Sequence, residues 1–374
     1  MERIVLFDPI NDGHHLFYNY TVAQALTNRF AVSYCTSGAD LSEDVAGKFS
    51  AAQVSVVPIT FRKYKNVLAR NLYQTIVLLN LFRKCSRDHV IRIHLLHFDN
   101  LYFALWGVSH LLPGATRKLR LTITCHWAPR QRLKWMILSE LLSKGYVVRV
   151  FVHGDHILGL FRKRLGPGTA IVSVEYPAMK PIIHSRAESF ARLSIEPVRQ
   201  PILLCFGALR FDKGIDIMVE ALSHVHGEYY LMIVGEDQFF SHNDIVEMMQ
   251  TNHVPSANVL LRDRYVSDDE LHYYFSLADI VVLPYRRQFS GQSGPLIEGL
   301  SHGCLVLGPN IGQIRETLLA QSGGVTFECE NPRDLAVRID EMLPRVAKRT
   351  TPKVQGECVH ESIVNFSNAY CKYV

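Results

Sequence analysis

The stretch "LADIVVLPYRRQFSGQSGPLIEGLSHG" (277–303) decides the fold class. Its opening, "LADIVVLPY" (277–285), is a continuous apolar run with the length and β-branched content of a strand buried on both faces. Its close, "SGQSGPLIEGLSHG" (290–303), begins with small residues and a proline and then turns apolar at helical spacing. The order is strand, glycine-rich loop, helix start. A helix N-terminus offers unpaired N–H donors and the positive end of a dipole, and glycines let a ligand approach the backbone. A plain turn with a helix cap uses the same residues. The rest of the chain has to choose between them.

Outward from this stretch the same grammar repeats. Strand-like runs fall at 3–7, 31–35, 54–58, 91–98, 121–125, 146–152 and 171–176, with helical segments at 15–29, 66–84, 101–112, 131–144 and 156–165 between them. The alternation restarts with strands at 201–206, 229–234, 258–261, 279–283, 304–308 and 324–327, and helices near 213–224, 241–251, 267–277, 294–302 and 332–346. Strands alternating with helices imply parallel sheets covered on both faces. The pattern predicts an α/β fold of two doubly wound, Rossmann-like domains, 1–185 and 200–355, facing across a cleft. The polar stretch 184–200 reads as the boundary, and the amphipathic segment 360–374 as a helix crossing back to the first domain. In doubly wound sheets ligands bind beyond the carboxyl ends of the strands, so the residues just after each strand matter most.

Composition bounds the partners. The 374 residues are 48% hydrophobic and 20% charged, as in a folded globular protein. No apolar run reaches the ~18 residues needed to span a bilayer, and the first one ends at Asp8, unlike a signal peptide. The eight cysteines are scattered with no C-x-x-C, which fits reduced thiols in a cytosolic protein. The net charge of +5 divides unevenly: residues 1–185 carry 23 Lys and Arg against 11 Asp and Glu, and residues 186–374 carry 17 against 24. Basic clusters at 61–70, 117–120, 130–135 and 161–164 account for much of the first excess. The first and third mix cations with Phe, Tyr, Trp and Leu, which suits either a solvated face or an anionic membrane surface. No nucleic-acid recognition motif is present.

After strand 201–206 comes "GALRFDKG", in which Gly207 is followed by Arg210, Lys213 and Gly214 where a helix begins. Two cations there oppose the helix dipole, and a bound anion resolves the conflict: Arg offers a bidentate fork to phosphate, Lys a point charge. Two solvated cations near a loop are the bland alternative. Gly235 and Tyr265 follow the next two strands. In the 290–303 loop Ser293 and Gly294 would present amides to phosphate. Glu298, one turn further in, suits a ribose diol, and a lone buried Glu is otherwise expensive. In the first half His97 and His126 stand at strand ends, and Gly13, His14 and His15 follow the first strand. Any single imidazole there also reads as a structural residue. No histidine pair has metal-site spacing, so no metal is expected.

These residues resemble retaining glycosyltransferases of family 4, which have the two-domain glycosyltransferase B fold. The family's G-x-x-x-x-x-K-G appears as Gly207 to Lys213-Gly214, with Ala208 where many members carry Arg and with Arg210 as a recurring variant. Of the family's pair of glutamates, Glu298 matches the second, and Ser290 stands at the first, within a Q-S-G form of the loop (292–294) found in a subgroup. "DPINDGHHLFYNY" (8–20), "LLHFDN" (95–100) and "TCHW" (124–127) resemble strand ends that carry the family's acceptor and sugar side. The resemblance implies a nucleoside-diphosphate sugar donor held by Gly207, Gly235, Tyr265, Gln292, Ser293, Gly294 and Glu298. It implies His126, Arg210 and Lys213 as catalytic groups, with Gly13, His14, His15 and His97 on the acceptor or sugar side. It further implies metal-free transfer with retention to a glycan or lipid-linked acceptor, in the cytoplasm or at the inner membrane face. A nucleotide-sugar binder without activity, which Ser290 suggests, and a sugar-nucleotide epimerase on the same architecture are the alternatives.

Overall fold

The computed structural model of the chain describes residues 1–10, 14–38, 41–62, 64–177, 180–289, 291, 293–321, 323–347 and 358–374. The chain divides into two units, Met1–Pro177 with Ser362–Val374, and Ala178–Glu361.

The first unit is built on seven parallel strands: β1 (Glu2–Phe7), β2 (Phe30–Ser37), β3 (Ser55–Ile59), β4 (Arg92–Leu95), β5 (Arg120–Cys125), β6 (Arg149–His153) and β7 (Ile171–Val174). Their order is β3-β2-β1-β4-β5-β6-β7, and the central pair aligns Ile4 with Arg92 and Phe7 with Leu95. The chain winds outward from β1 to β3, then crosses back to β4, so the strand order reverses between β1 and β4. One face packs Leu78, Phe82, Leu105, Leu138 and Phe161 from four helices. The other packs Tyr18, Val22 and Leu26 together with Phe366, Tyr370 and Val374 from the final segment.

The second unit repeats the plan with six parallel strands: β8 (Ile202–Phe206), β9 (Tyr230–Val234), β10 (Val259–Arg262), β11 (Ile280–Val282), β12 (Leu305–Pro309) and β13 (Gly324–Phe327). Their order is β10-β9-β8-β11-β12-β13, which reverses between β8 and β11. Both sheets are therefore doubly wound, and each places a ligand crevice at the carboxyl ends of its central pair.

Three expectations change. The stretch 184–200 carries a helix, Arg186–Leu193, whose N-cap Ser185 accepts from the Glu188 amide. It buries Phe190 and Leu193 and packs on the helix Asp268–Leu277. Apolar residues three apart behind a serine cap are enough for a short helix, even in a polar stretch. Helices Glu43–Ala51, Pro113–Lys118 and Gly312–Leu319 were likewise not expected, each too short to show more than one helical repeat. The run 91–98 supplies a strand only to Leu95. Beyond it the Leu96 amide donates to the Phe7 carbonyl and the chain turns, which frees His97 from the sheet.

Candidate functional site

In the second unit three loops crowd at the carboxyl ends of β8, β9 and β11. Gly207 donates to the Val234 carbonyl at 2.9 Å, and a Cβ on Gly235 would lie 2.1 Å from the Gly207 oxygen. Gly214 sits at φ +65° with its Cβ direction 2.0 Å from the Pro284 oxygen. No side chain fits at either position, so glycine there lets the loops meet.

This crowding brings Lys213 to Tyr285. The ammonium donates to the Tyr285 hydroxyl at 2.6 Å and lies 4.0 Å from the centre of that ring and 4.8 Å from that of Phe289. The Tyr285 hydroxyl in turn lies 3.1 Å from Ser293 Oγ. Ser293 caps the helix Gly294–Ser301 by accepting from the Leu296 amide. Pro295 has no N–H and Leu296 is satisfied by the cap, so within the first turn Gly294 is the residue whose amide has no acceptor among the described residues. Burial, and then the neighbouring Arg210 charge, push the Lys213 ammonium down to about 7.

Arg210 differs from expectation in one respect. Its fork is occupied: Nε and NH2 donate to the two carboxylate oxygens of Asp212 at 2.9 and 2.7 Å. Glu298 is buried as expected but not alone, because His302 one turn on lies 3.7 Å from its carboxylate. Tyr265 follows the edge strand β10 and is 57% exposed. Gln292 and Ser290 lie outside the described residues.

In the first unit the strand ends collect imidazoles. His97 follows β4, His126 follows β5, His153 closes β6, and His15 lies in the helix His14–Thr27 after β1. His15 and His97 stack with ring centres 3.8 Å apart, His97 and His126 at 3.9 Å, and His153 lies 4.9 Å from His126. Tyr18 meets His97, His126 and His153 edge-on. Buried Asp8 anchors one end, accepting from His15 Nδ1 at 3.0 Å and Asn19 Nδ2 at 2.8 Å, with His97 Nε2 at 3.5 Å. His126 Nε2 donates to the Leu96 carbonyl at 3.0 Å, which fixes its tautomer. Its backbone amide and that of Trp127 donate to Asp99 at 3.1 and 2.9 Å, and burial raises the Asp99 carboxyl to about 6. Burial likewise lowers His153 to about 4, so it is neutral and donates from Nδ1 to the Val174 carbonyl. His14 begins its helix, and Gly13 lies outside the described residues.

Asp8, His15 and His97 offer ligand atoms within 4.8 Å of one another, the one such trio among the described residues. A metal ion about 2.0 Å from each nitrogen must lie in both ring planes. The two rings are stacked face to face at 26°, so their lone pairs run side by side rather than converge. The arrangement suits a carboxylate that accepts a hydrogen bond from His15 and faces the His97 imidazole at 3.5 Å.

The sequence reading missed Tyr285, Asp8, Tyr18 and His153. The first signal was available, because Tyr285 closes the apolar run 277–285. So was the second: Asp8 ends the first apolar run.

Residues 200–345 match the family model "Glycosyl transferases group 1". An uncharacterized glycosyltransferase of Methanocaldococcus jannaschii is 23% identical over 154 residues, which span 41% of this chain and 41% of that protein's length. Among solved structures, sucrose-phosphate synthase from Thermosynechococcus elongatus aligns with TM-score 0.76 at 15% identity, covering 100% of this chain and 97% of the other. A glycosyltransferase from Rickettsia africae aligns with TM-score 0.73 at 16% identity, covering 99% and 96%. Anabaena HepE, solved in complex with UDP-glucose, aligns with TM-score 0.70 at 13% identity, covering 100% and 98%. Residues 200–345 thus resemble the group 1 glycosyltransferase family, and the two parallel-sheet units have the glycosyltransferase B fold.

Proposed function

We propose that the protein transfers a sugar from a nucleoside-diphosphate sugar to an acceptor, with retention and without a metal. The observation that carries this reading is the cradle at the β8/β11 switch point: the Lys213 ammonium held on Tyr285, beside the Ser293 cap and the Gly294 amide. Breaking the bond between the anomeric carbon and the diphosphate oxygen leaves negative charge on the diphosphate and positive charge on the sugar. Donors fixed in advance around the departing oxygens lower that barrier. Lys213 and the Ser293 and Gly294 amides supply them. Arg210 joins once the incoming phosphate draws its fork from Asp212, and Glu298 holds the ribose. A thermal-shift panel of nucleoside diphosphates and their sugars tests the reading, since a ligand of the folded state raises its melting temperature. UDP sugars head the panel, given HepE. A panel with no stabilising member defeats the proposal.

Lys213 makes donor binding pH-dependent. Below pH about 7 the ammonium is charged before the ligand arrives; above it, binding must take up a proton. Affinity for a nucleoside diphosphate is therefore expected to fall as pH rises through this range, by up to roughly tenfold per pH unit. Calorimetric titrations on both sides of neutrality measure it, and a flat profile refutes the role given to Lys213.

His126, fixed by Leu96 and Asp99, orients the sugar. His126→Ala is expected to lower turnover while leaving nucleotide affinity within a few-fold. Equal losses in both would remove His126 from that role.

The acceptor side includes a membrane contact. Leu68 and Leu72 are 80% and 65% exposed on the helix Val67–Arg87, and Met136 is 67% exposed on the helix Arg132–Ser143. Arg62, Lys65, Arg70, Arg130 and Arg132 flank them in sequence, which suits an anionic membrane surface and a lipid-linked acceptor. Among the described residues no helix is long and apolar enough to cross a membrane. A second reading, a nucleotide-sugar binder that does not transfer, draws on Ser290 and on the Asp212-occupied fork of Arg210. Stabilisation by a donor that is neither transferred nor hydrolysed would favour it.

A further inference from the structure

The amino ends of the first unit's strands, opposite the edge that carries Asp8 and the imidazoles, form a second polar feature. A pocket of about 210 Å³ lies there among Arg29, Arg92, Arg120, Arg149 and Lys372. Arg92, Arg120 and Arg149 are the first residues of β4, β5 and β6, and Arg29 immediately precedes β2. Parallel pairing puts the starts of neighbouring strands side by side, so cations far apart in sequence meet at one edge.

Three of the five have a structural task. Arg29 donates to the Cys371 carbonyl, Arg149 to that of Tyr373 at 3.2 Å and Arg92 to that of Val374 at 2.8 Å. Cations are favoured there because the last carbonyls of a helix have no intrahelical partner. Arg92 also donates to Glu2 at 2.7 Å. This hydrogen bond first, and then the charges of Arg92, Arg120 and Arg29, hold the Glu2 carboxyl below its usual range. Among the described residues the side chains of Arg120 and Lys372 make no hydrogen bond and no ion pair, and the Lys372 ammonium lies 4.9 Å from the centre of the Tyr373 ring. Lys372 also suits the last turn of that helix, but capping does not explain Arg120.

Five side-chain cations around one small pocket repel one another; Glu2 and the carboxylate of Val374, the last residue of the structure, offset two. The three anchored guanidinium groups keep unused N–H donors, because Arg29 and Arg149 each donate through NH1 alone. The volume matches that of about seven waters, more than a single phosphate fills. We propose that this pocket is an anion site, separate from the donor cradle, for a ligand bearing two or more phosphoryl groups. The guanidinium groups supply directed donors and Lys372 a point charge.

The test titrates tripolyphosphate by calorimetry into three proteins: the unaltered chain, Arg120→Gln/Lys372→Gln and Lys213→Ala. The double variant removes the two side chains that make no hydrogen bond or ion pair among the described residues, and an unchanged melting temperature verifies its fold. Binding is expected in the unaltered chain, to survive Lys213→Ala, and to weaken about tenfold or more in the double variant, the scale of one lost charge-assisted hydrogen bond. It should also weaken with added salt. No binding at low salt, or equal affinity in the unaltered chain and the double variant, overturns the proposal, as does loss confined to Lys213→Ala. Sedimentation with vesicles containing phosphatidylinositol bisphosphate separates the sources. If the double variant weakens vesicle binding and tripolyphosphate competes with it, the anion is a lipid headgroup; if vesicle binding is unaffected, it is a soluble oligophosphate.

Discussion

Replacing Lys213 with alanine is expected to lower turnover about 10²–10³-fold, the loss typical of removing one donor from developing negative charge. The expectation rests on the placement of the ammonium, 2.6 Å from the Tyr285 hydroxyl and next to the capped helix start. The fold should not suffer with it. Burial depresses the Lys213 ammonium from 10.5 to about 7. A lysine whose pKa is lower when folded costs stability wherever it is charged, fully below pH about 7 and not at all above its unfolded value. Alanine removes that cost along with the packing of the stem, so the melting temperature is expected to stay close to that of the unaltered chain. Steady-state transfer, or donor hydrolysis before an acceptor is known, reads the first effect, and a thermal melt reads the second. A variant that keeps near-normal rate would take Lys213 out of the chemistry.

The largest stability effect is expected at Gly235. A methyl group there would sit 2.1 Å from the Gly207 oxygen and 2.4 Å from its carbonyl carbon. Neither backbone can yield easily. Gly207 donates to Val234, and Gly235 to Arg262, both at 2.9 Å. Gly235→Ala should therefore cost about 4 kcal/mol, at the upper end for one substitution, and lower the melting temperature of the second unit by roughly 10 °C. Nucleotide binding should fall with it, since Gly207 carries the loop that ends in Lys213. Differential scanning calorimetry decides the matter: an unshifted transition would mean the three loops are less tightly packed than described.

The legible part of this fold and the hidden part have different physical origins. β11 could be read from "DIVVL" because a strand buried on both faces needs an unbroken apolar run, and that requirement is local. The helix Arg186–Leu193 could not, because what stabilises it is the helix Asp268–Leu277, far along the chain. The same division runs through the site. Lys213 and Ser293 were readable where they stand, at a loop and a helix cap. Their link through Tyr285 was not, because residues 213 and 285 meet only when β8 and β11 become neighbours. The imidazole column is the extreme case. His15, His97 and His126 follow three different strands and His153 ends a fourth, and no spacing in sequence records that their rings meet. Arg210 shows the opposite error, since its Asp212 partner lies two residues away and was in plain view.

The final segment carries a consequence for synthesis. Phe366 and Tyr370 fill the face of the first sheet next to Tyr18 and Phe151, yet the whole second unit is translated before them. A nascent chain therefore holds its earliest-made sheet half-covered while the later unit, continuous in sequence, acquires everything it needs. Of the two units the one made earlier is the last to close, and removal of Ser362–Val374 should loosen that unit, not the later one.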